Sequence, residues 1–336
     1  MAQRVCVRVP TAVLAACLLT GPLLQGGEWK HVTSADGMPV GMVQFMKLLD
    51  GEVWMGTMDG LVRFAGGKGT KVLAEAAWDM LPAGAGRYWI GTAGGAWLLE
   101  NGKLTQSLKG VSVGSLERFG DQAIWAVAGK GETTGLMEYR DGAWTEAPRL
   151  KGRAVADLFP VRNGTVWVAL EADGIVAADP AKEPSQWAHH LKGVNVRSFC
   201  EDGQGRLWCG TWGKGVMVLE AGKWQPHLAK EKSAVTTLVQ DGEGHLWAAT
   251  NANGLWQYDG TAWKQHLAKE GTINVLERTA DGRIYISSQS VPALRVWSGK
   301  TWVTLLDVPG CFRTVILGVD RKLWAGHTVT GLYIQP

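Results

Sequence analysis

The sequence predicts an all-β protein, a single eight-bladed β-propeller built from four-stranded blades. Three observations favour this fold: an excess of tryptophan and glycine, a repeat of about 39 residues, and chain ends that complement each other. The 336 residues include 18 Trp and 45 Gly, and large aromatic residues between glycine-containing turns are typical of many short strands. Helical periodicity is missing along the chain, so regularly spaced strands account for the pattern best.

An aromatic residue marks the second strand of each repeat. Successive anchors are 35 to 42 residues apart, close to the spacing of propeller blades. The eight anchors are Trp54, Trp89, Trp125, Trp167, Trp208, Trp247, Tyr285 and Trp324. A second set marks the fourth strands: Trp29, Trp144, Trp187, Trp224, Trp263 and Trp302. These two sets hold 13 of the 18 Trp, and we interpret them as packing between neighbouring blades.

The two chain ends predict how the propeller closes. Residues 27–32 resemble a fourth strand that has no first three, and residues 332–334 a third strand that has no fourth. Paired with each other, they complete one blade, close the ring and hide two sheet edges. The alternative is a seven-bladed ring with one unit outside it, because the third unit, around residues 123–139, matches the repeat least well.

Residues 1–26 are predicted to be a secretory signal peptide, and residues 27–336 the propeller. Arg4 and Arg8 precede an apolar stretch that is short for a membrane span. The run Leu-Ala-Ala-Cys that ends at Cys17 also fits a bacterial lipobox, in which Cys17 would carry a lipid anchor. We therefore expect an exported monomer, periplasmic or extracellular, with or without that anchor.

Charge and motifs exclude several functions. Lys and Arg number 34 against 31 Asp and Glu, a balance that argues against a nucleic-acid partner. No further segment is long and apolar enough to span a bilayer. The fingerprints of nucleotide binding, zinc proteolysis and serine hydrolysis are missing from the sequence, so we expect no cofactor and assign no catalytic residue.

Histidines and cysteines also receive structural interpretations. His190, His227 and His266 recur in Trp-x-x-His-Leu segments, and three histidines are a zinc-ligand set. Equivalent outer-strand positions of different blades do not converge, so no metal site is predicted. Cys200 and Cys209 fall on one face of a hairpin, and a disulfide between them is an alternative to the buried thiols that we favour.

The pattern Asp-Gly-x-Gly-x-Leu-Trp-x-Gly-Thr resembles the two-component regulator propeller repeat. Residues 202–211 and 51–61 are its closest copies. The resemblance implies an exported propeller of the kind found in the periplasmic sensor part of bacterial signalling kinases, where it helps to recognise extracellular ligands, often glycans. The sequence shows no membrane helix, kinase or response domain, so the resemblance implies the exported propeller and not the kinase role.

A ligand site is predicted in the loops between second and third strands, since loops carry function on a rigid scaffold. Trp212 breaks the repeat and stands in a turn, where stacking would supply affinity. The predicted site residues are Trp212, Lys214, Asp59, Glu171, Asp173, Asn251, Asn253 and His327. The leading hypothesis is non-catalytic binding of a glycan or protein; the alternatives are a propeller-type lyase or hydrolase acting at the central channel, and an envelope scaffold.

Overall fold

The computed structural model describes residues 28–33, 36–38, 41–121, 123–130, 133–147, 150–229 and 231–336. The predicted signal peptide and Cys17 lie outside the described residues. The described chain divides into two compact units. Unit 1 comprises residues 49–66 and 70–196, and unit 2 comprises residues 67–69, 197–336 and the described part of 4–48.

The strands form eight antiparallel sheets of four strands each. Seven sheets consist of four consecutive strands. The first sheet contains β2 (Val43–Leu49), β3 (Glu52–Thr57), β4 (Gly60–Ala65) and β5 (Lys68–Leu73). The next three sheets lie in unit 1. They are β6 (Ala77–Gly84), β7 (Arg87–Thr92), β8 (Gly95–Glu100), β9 (Lys103–Lys109); β10 (Ser112–Phe119), β11 (Ala123–Lys130), β12 (Thr133–Arg140), β13 (Ala143–Glu146); and β14 (Val155–Pro160), β15 (Val166–Leu170), β16 (Ile175–Ala178), β17 (Ala188–His190). A short 3-10 helix at Pro184–Gln186 precedes β17.

Unit 2 holds the remaining sheets. They are β18 (Val196–Glu201), β19 (Leu207–Thr211), β20 (Val216–Glu220), β21 (Lys223–Pro226); β22 (Val235–Gln240), β23 (Leu246–Thr250), β24 (Leu255–Tyr258), β25 (Trp263–His266); β26 (Ile273–Arg278), β27 (Ile284–Ser288), β28 (Leu294–Trp297), β29 (Trp302–Leu306); and β30 (Phe312–Leu317), β31 (Leu323–His327), β32 (Gly331–Ile334) with β1 (Lys30–Val32). Eight meandering four-stranded sheets are the blades of an eight-bladed β-propeller, so the predicted fold is confirmed and the seven-bladed alternative is wrong.

The last sheet joins the two ends of the described chain, as the sequence predicts. Its strand order is β1-β32-β31-β30, and β1 pairs antiparallel with β32. His31 lies opposite Tyr333, and their rings stack with centroids 4.6 Å apart. Backbone hydrogen bonds and this stacked pair hold β1 against β32. The edge of β32 is therefore paired and not open to another chain.

The second-strand anchors pack against the neighbouring sheet. All eight are buried. In unit 1, Trp89 lies 5.5 Å from Trp144 and Trp125 lies 5.6 Å from Trp187, between ring centroids. In unit 2, Trp247 lies 5.5 Å from Trp302. Each pair joins the second strand of one sheet to the fourth strand of the next, or, for Trp187, to the residue directly before that strand. The three pairs support the interpretation of the two tryptophan sets as packing between neighbouring sheets.

Aspartates in the first hairpin turn tie that turn to the anchor. Asp202 accepts hydrogen bonds from the backbone N–H groups of Gln204 and Arg206 with Oδ1, and from the indole N–H of Trp208 with Oδ2 at 2.9 Å. In the next sheet the carboxylate of Asp241 accepts the indole N–H of Trp247 at 2.8 Å. The aspartate closes the turn and satisfies a buried donor, so its recurrence is structural.

The three repeated histidines are packing residues of separate sheets. Each ring lies against its own second-strand anchor, and the centroid distances are 5.2 Å for His190 and Trp167, 4.8 Å for His227 and Trp208, and 5.3 Å for His266 and Trp247. Burial lowers the pKa of all three imidazoles. Within the part of the chain that the structure describes, no three His, Cys, Asp or Glu side chains form a potential metal site.

The cysteines of the described residues are thiols. Cys200, Cys209 and Cys311 are all free. The interpretation of Cys200 and Cys209 as buried thiols holds in full for Cys209, whereas Cys200 is half-buried. Cys209 is fully buried, and burial raises the pKa of its thiol.

Glu277 is a buried carboxyl group that joins two sheets of unit 2. It lies in β26 and is 3% exposed. Its Oε2 accepts the backbone N–H of Val315 and, at 3.4 Å, the hydroxyl of Thr314, both in β30. Burial raises the pKa of Glu277 to about 8 because a charged carboxylate loses its hydration there.

Replacing Trp208 by Ala should destabilise the protein by roughly 3–5 kcal/mol, since a large buried side chain leaves a cavity and Asp202 loses its indole partner. Chemical denaturation of the purified variant measures this loss. The matched control is Trp212→Ala, which removes an exposed indole (55% of Trp212 is accessible) and should cost about 1 kcal/mol or less. Equal losses in the two variants would contradict the assignment of Trp208 as an anchor.

Glu277 should make stability depend on pH. The pKa of Glu277 is about 8 in the folded state against a reference value of 4.5, so between these values the folded state binds more protons and stability falls as pH rises. Glu277→Gln keeps an acceptor oxygen and cannot ionise. We expect similar melting temperatures for wild type and variant near pH ~4, and a higher one for the variant above pH ~8. A difference that does not change with pH would contradict this assignment.

Candidate functional site

The turns between second and third strands are here called 2–3 turns. In four of the eight sheets, the threonine that ends the second strand holds this turn. Its hydroxyl donates to a carbonyl across the turn and accepts a backbone N–H within it. The threonine hydroxyl donates to a glycine carbonyl at 2.8 to 3.0 Å in each case: Thr57 to Gly60, Thr92 to Gly95, Thr211 to Gly215 and Thr250 to Gly254. The threonine therefore fixes these four turns and leaves the residues at their tips free to vary.

The tips of these turns expose apolar side chains. Among the described residues, six large apolar side chains are exposed, and four of them stand in 2–3 turns. These four are Met58, Trp212, Val291 and Val329. Trp212 is the largest of them and is 55% exposed. Exposed aromatic surface on a rigid turn is typical of a binding site.

In unit 2 the structure brings Trp212 and Asn251 to the same short connection, residues 231–234. Trp212 forms an isolated antiparallel bridge with Ala234. On the other side, the Oδ1 atom of Asn251 accepts the N–H of Ala234 at 2.9 Å, and the backbone N–H of Asn251 donates to the carbonyl of Ala234. The connection thus lies between two 2–3 turns and fixes their spacing.

The buried side chain of Glu231 holds this connection in place through hydrogen bonds. The side chain is 2% exposed. Its carboxylate accepts the Ser233 N–H and hydroxyl, the Asn253 amide at 2.9 Å and the Trp256 indole N–H at 2.8 Å. Burial by itself raises the pKa of Glu231, but hydrogen bonds from Ser233, Asn253 and Trp256 outweigh it and lower the pKa below its usual range. An ionised carboxylate therefore anchors Asn253 beside the Trp212 turn.

One cationic side chain lies against Trp212, and two exposed lysines belong to the adjoining backbone segments. The guanidinium of Arg197, in β18, lies 5.8 Å from the centroid of the indole ring. Lys214 follows Trp212 by two residues, and the carbonyl of Lys232 lies 4.0 Å from the point where a Cβ on Gly213 would stand. Both lysines are exposed. We name Trp212, Arg197, Lys214 and Lys232 the Trp212 platform.

The predicted residues of unit 1 lie in 2–3 turns of that unit. Asp59 is exposed, and its backbone N–H donates to the hydroxyl of Thr57. Glu171 is also exposed. The carboxylate of Asp173 pairs with Arg153, and its carbonyl oxygen is 2.7 Å from Nε2 of His189.

His327 takes the place of the capping threonine in the last sheet. The imidazole is fully buried, and its Nδ1 accepts the backbone N–H groups of Val329 at 3.2 Å and Thr330 at 3.1 Å. Burial lowers the pKa of His327, which keeps the acceptor nitrogen unprotonated. A buried turn cap offers no surface to a ligand, so the site proposed for this protein leaves His327 out.

Sequence reasoning missed Glu231, Arg197 and Lys232. The glutamate has a recognisable signal, because a Glu precedes the first strand of three sheets and receives a donor from the third strand of its sheet. Glu75 accepts the indole N–H of Trp97, Glu231 that of Trp256, and Glu270 the guanidinium of Arg295. This device also explains two tryptophans, Trp97 and Trp256, that belong to neither anchor set.

Comparisons with known proteins agree with the fold. The model of the two-component regulator propeller matches residues 190–213, which include Trp212. A search of curated proteins found no match. Among the described residues, no helix has the length and apolar character of a membrane span.

Solved structures resemble the chain at low sequence identity. The extracellular domain of a putative one component system from B. thetaiotaomicron is 16% identical, with a TM-score of 0.55 over 89% of this chain and 51% of that one. YCF48 bound to D1 peptide is 15% identical, with a TM-score of 0.56 over 93% and 96%. Streptogramin B lyase is 13% identical, with a TM-score of 0.55 over 77% and 92%.

The chain spans about half the length of the first of these structures, and identities this low establish the fold alone. The repeat at residues 190–213 establishes more, because it holds the Asp202 turn, the Trp208 anchor and the Thr211 cap in one matched segment. The chain is therefore an eight-bladed β-propeller that carries the two-component regulator propeller repeat.

Proposed function

We propose that this protein is an exported, non-catalytic propeller that binds a periplasmic or extracellular ligand, a glycan or a protein segment, through the 2–3 turns of unit 2. In this proposal residues 1–26 direct export, with lipidation of Cys17 as the alternative to simple cleavage, and residues 27–336 bind the ligand as a monomer. The observation that carries the proposal is Trp212, a half-exposed indole on a turn that the Thr211 cap and the bridge to Ala234 hold in place.

The surroundings of Trp212 favour binding without rearrangement. Thr211 caps the turn, Ala234 pairs with Trp212, and Glu231 holds Asn253. Preorganised contact groups lose little conformational entropy when a ligand arrives, which improves affinity. Because the carboxylate of Glu231 already accepts four hydrogen-bond donors, we assign it a positioning role in this site.

Related folds support ligand recognition in general terms. One neighbour is the extracellular domain of a putative one component system, and another is YCF48 bound to D1 peptide. An enzymatic function remains the alternative to binding, because one of the similar structures is a lyase. The shared fold is the support for this alternative. A scaffold role in the envelope is the third hypothesis, and copurification of a partner without a small ligand would favour it.

Trp212→Ala should abolish or strongly weaken ligand binding and leave the fold intact, because the indole is exposed and supplies the stacking surface. Glycan-array and peptide-array screening of the purified protein identifies binders, and calorimetry compares the variant with wild type. The matched control is Val329→Ala, which removes another exposed apolar side chain from a 2–3 turn of unit 2. If both variants lose binding equally, the site is not centred on Trp212.

Glu231→Gln should lower stability by about 1–3 kcal/mol, since the neutral amide cannot accept all four donors and leaves a buried polar group unsatisfied. Binding should weaken as well, because Asn253 loses its anchor. Glu220→Gln, which changes an exposed carboxylate at the end of β20, is the control and should change neither quantity. A stable Glu231→Gln variant with unchanged affinity would disprove the positioning role.

A further inference from the structure

The Trp212 platform combines an aromatic surface with positive charge. Arg197 lies over the indole at 5.8 Å, and the exposed Lys214 and Lys232 flank the turn. The acidic side chain of the same region, Glu231, is 2% exposed and engaged by four donors. Among the described ion pairs, none involves Lys214 or Lys232. The described residues around this turn thus include three cationic side chains, and the buried carboxylate of Glu231 is already engaged.

Two amides add hydrogen-bonding groups to this surface. Asn251 uses its carbonyl oxygen to bind Ala234, and Asn253 uses its amide nitrogen to bind Glu231. The other polar atom of each amide remains for a ligand. An aromatic ring with adjacent amides suits a ligand that has an apolar ring face and many hydroxyl groups.

A peptide that adds a strand fits this region less well. Strand addition needs unpaired backbone groups along an edge. At the end of the connection, the N–H and the carbonyl of Ala234 are both hydrogen-bonded to Asn251. Ala234 therefore offers no open backbone group for strand addition, which favours recognition by the side chains of the platform.

We propose that the ligand of the Trp212 platform is an anionic oligosaccharide, one that carries carboxylate groups as hexuronates do. The sugar ring stacks on the indole of Trp212. The carboxylates are attracted by the positive charge of Arg197 beside the indole and pair with the ammonium groups of Lys214 and Lys232. This inference rests on the proposed function, because it names the chemical class of ligand for the same site.

Matched sugars test the inference in the wild-type protein. The probes are tetragalacturonate, tetraguluronate and heparosan tetrasaccharide, each with its carboxyl-reduced, neutral counterpart, and calorimetry measures the dissociation constants. We expect at least one acid to bind about tenfold or more tightly than its neutral counterpart, with an affinity that falls as salt rises. Trp212→Ala should abolish this binding.

Charge variants test which side chains carry the preference. Lys214→Gln with Lys232→Gln should weaken binding of the acid by about three- to tenfold and leave the neutral sugar unchanged. The matched control is Lys223→Gln with Lys264→Gln, which removes two exposed charges from β21 and β25 and should change affinity less than about twofold. Equal effects of the two double variants would overturn the inference.

The outcomes separate this inference from the proposed function. If neutral sugars bind as tightly as the acids and depend on Trp212, the site is real and the charge preference is wrong. If a hexaglutamate peptide binds through Trp212 and no sugar does, the ligand is an acidic peptide and the choice of a sugar is wrong. If neither these probes nor the arrays give binding that depends on Trp212, both proposals fail.

Discussion

The burial of one large aromatic side chain in the second strand of every sheet is the constraint on which this structure depends. A ring of that size cannot be enclosed by one four-stranded sheet, so it needs the next sheet to cover it. In the described pairs the cover is an aromatic side chain of the neighbouring fourth strand, as with Trp89 and Trp144 or Trp247 and Trp302. The two tryptophan sets are consequently two halves of one packing scheme, and their spacing reports the length of a blade.

The indole N–H imposes a second requirement, because a buried donor without a partner costs free energy. In two neighbouring sheets the chain meets it with the aspartate six residues upstream, Asp202 for Trp208 and Asp241 for Trp247. The same carboxylate closes the first hairpin turn. One residue thus fixes a turn and a core side chain together, which explains why the Asp-Gly-x-Gly-x-Leu-Trp pattern is a strong indicator of fold and a weak indicator of function.

The sequence predicted the features that follow from repetition. The anchors set the number of sheets, and the incomplete units at the two ends predicted the pairing of β1 with β32. Contacts between residues that do not recur at a fixed spacing in the sequence could not be predicted from it. Glu231 finds its partners 22 and 25 residues along the chain, in Asn253 and Trp256, and no short motif connects them. Arg197 was missed because a charged residue within a strand gives no sign of the turn it will contact.

His327 illustrates a different limit. A histidine at the position of a threonine breaks the pattern, and departures from a repeat are where ligand contacts are expected. The neutral imidazole has a nitrogen that accepts two backbone N–H groups of the turn, so it supplies the acceptor that a threonine hydroxyl supplies elsewhere. At this position histidine therefore does the structural work of threonine, and its departure from the repeat does not indicate a ligand contact.

Trp212 departs from the repeat without any such equivalence. Its backbone is paired with Ala234, but its side chain is left in solvent beside Arg197. An indole that packed against its own sheet would bury more apolar surface. In this protein the bridge to Ala234 and the Thr211 cap hold the backbone of the turn, and the indole remains half-exposed to solvent. A fixed backbone with an exposed aromatic ring gives up that burial in the free protein, and a ligand that covers the ring restores it. This difference in burial between the free and the bound protein is the physical reason for placing the binding site at Trp212.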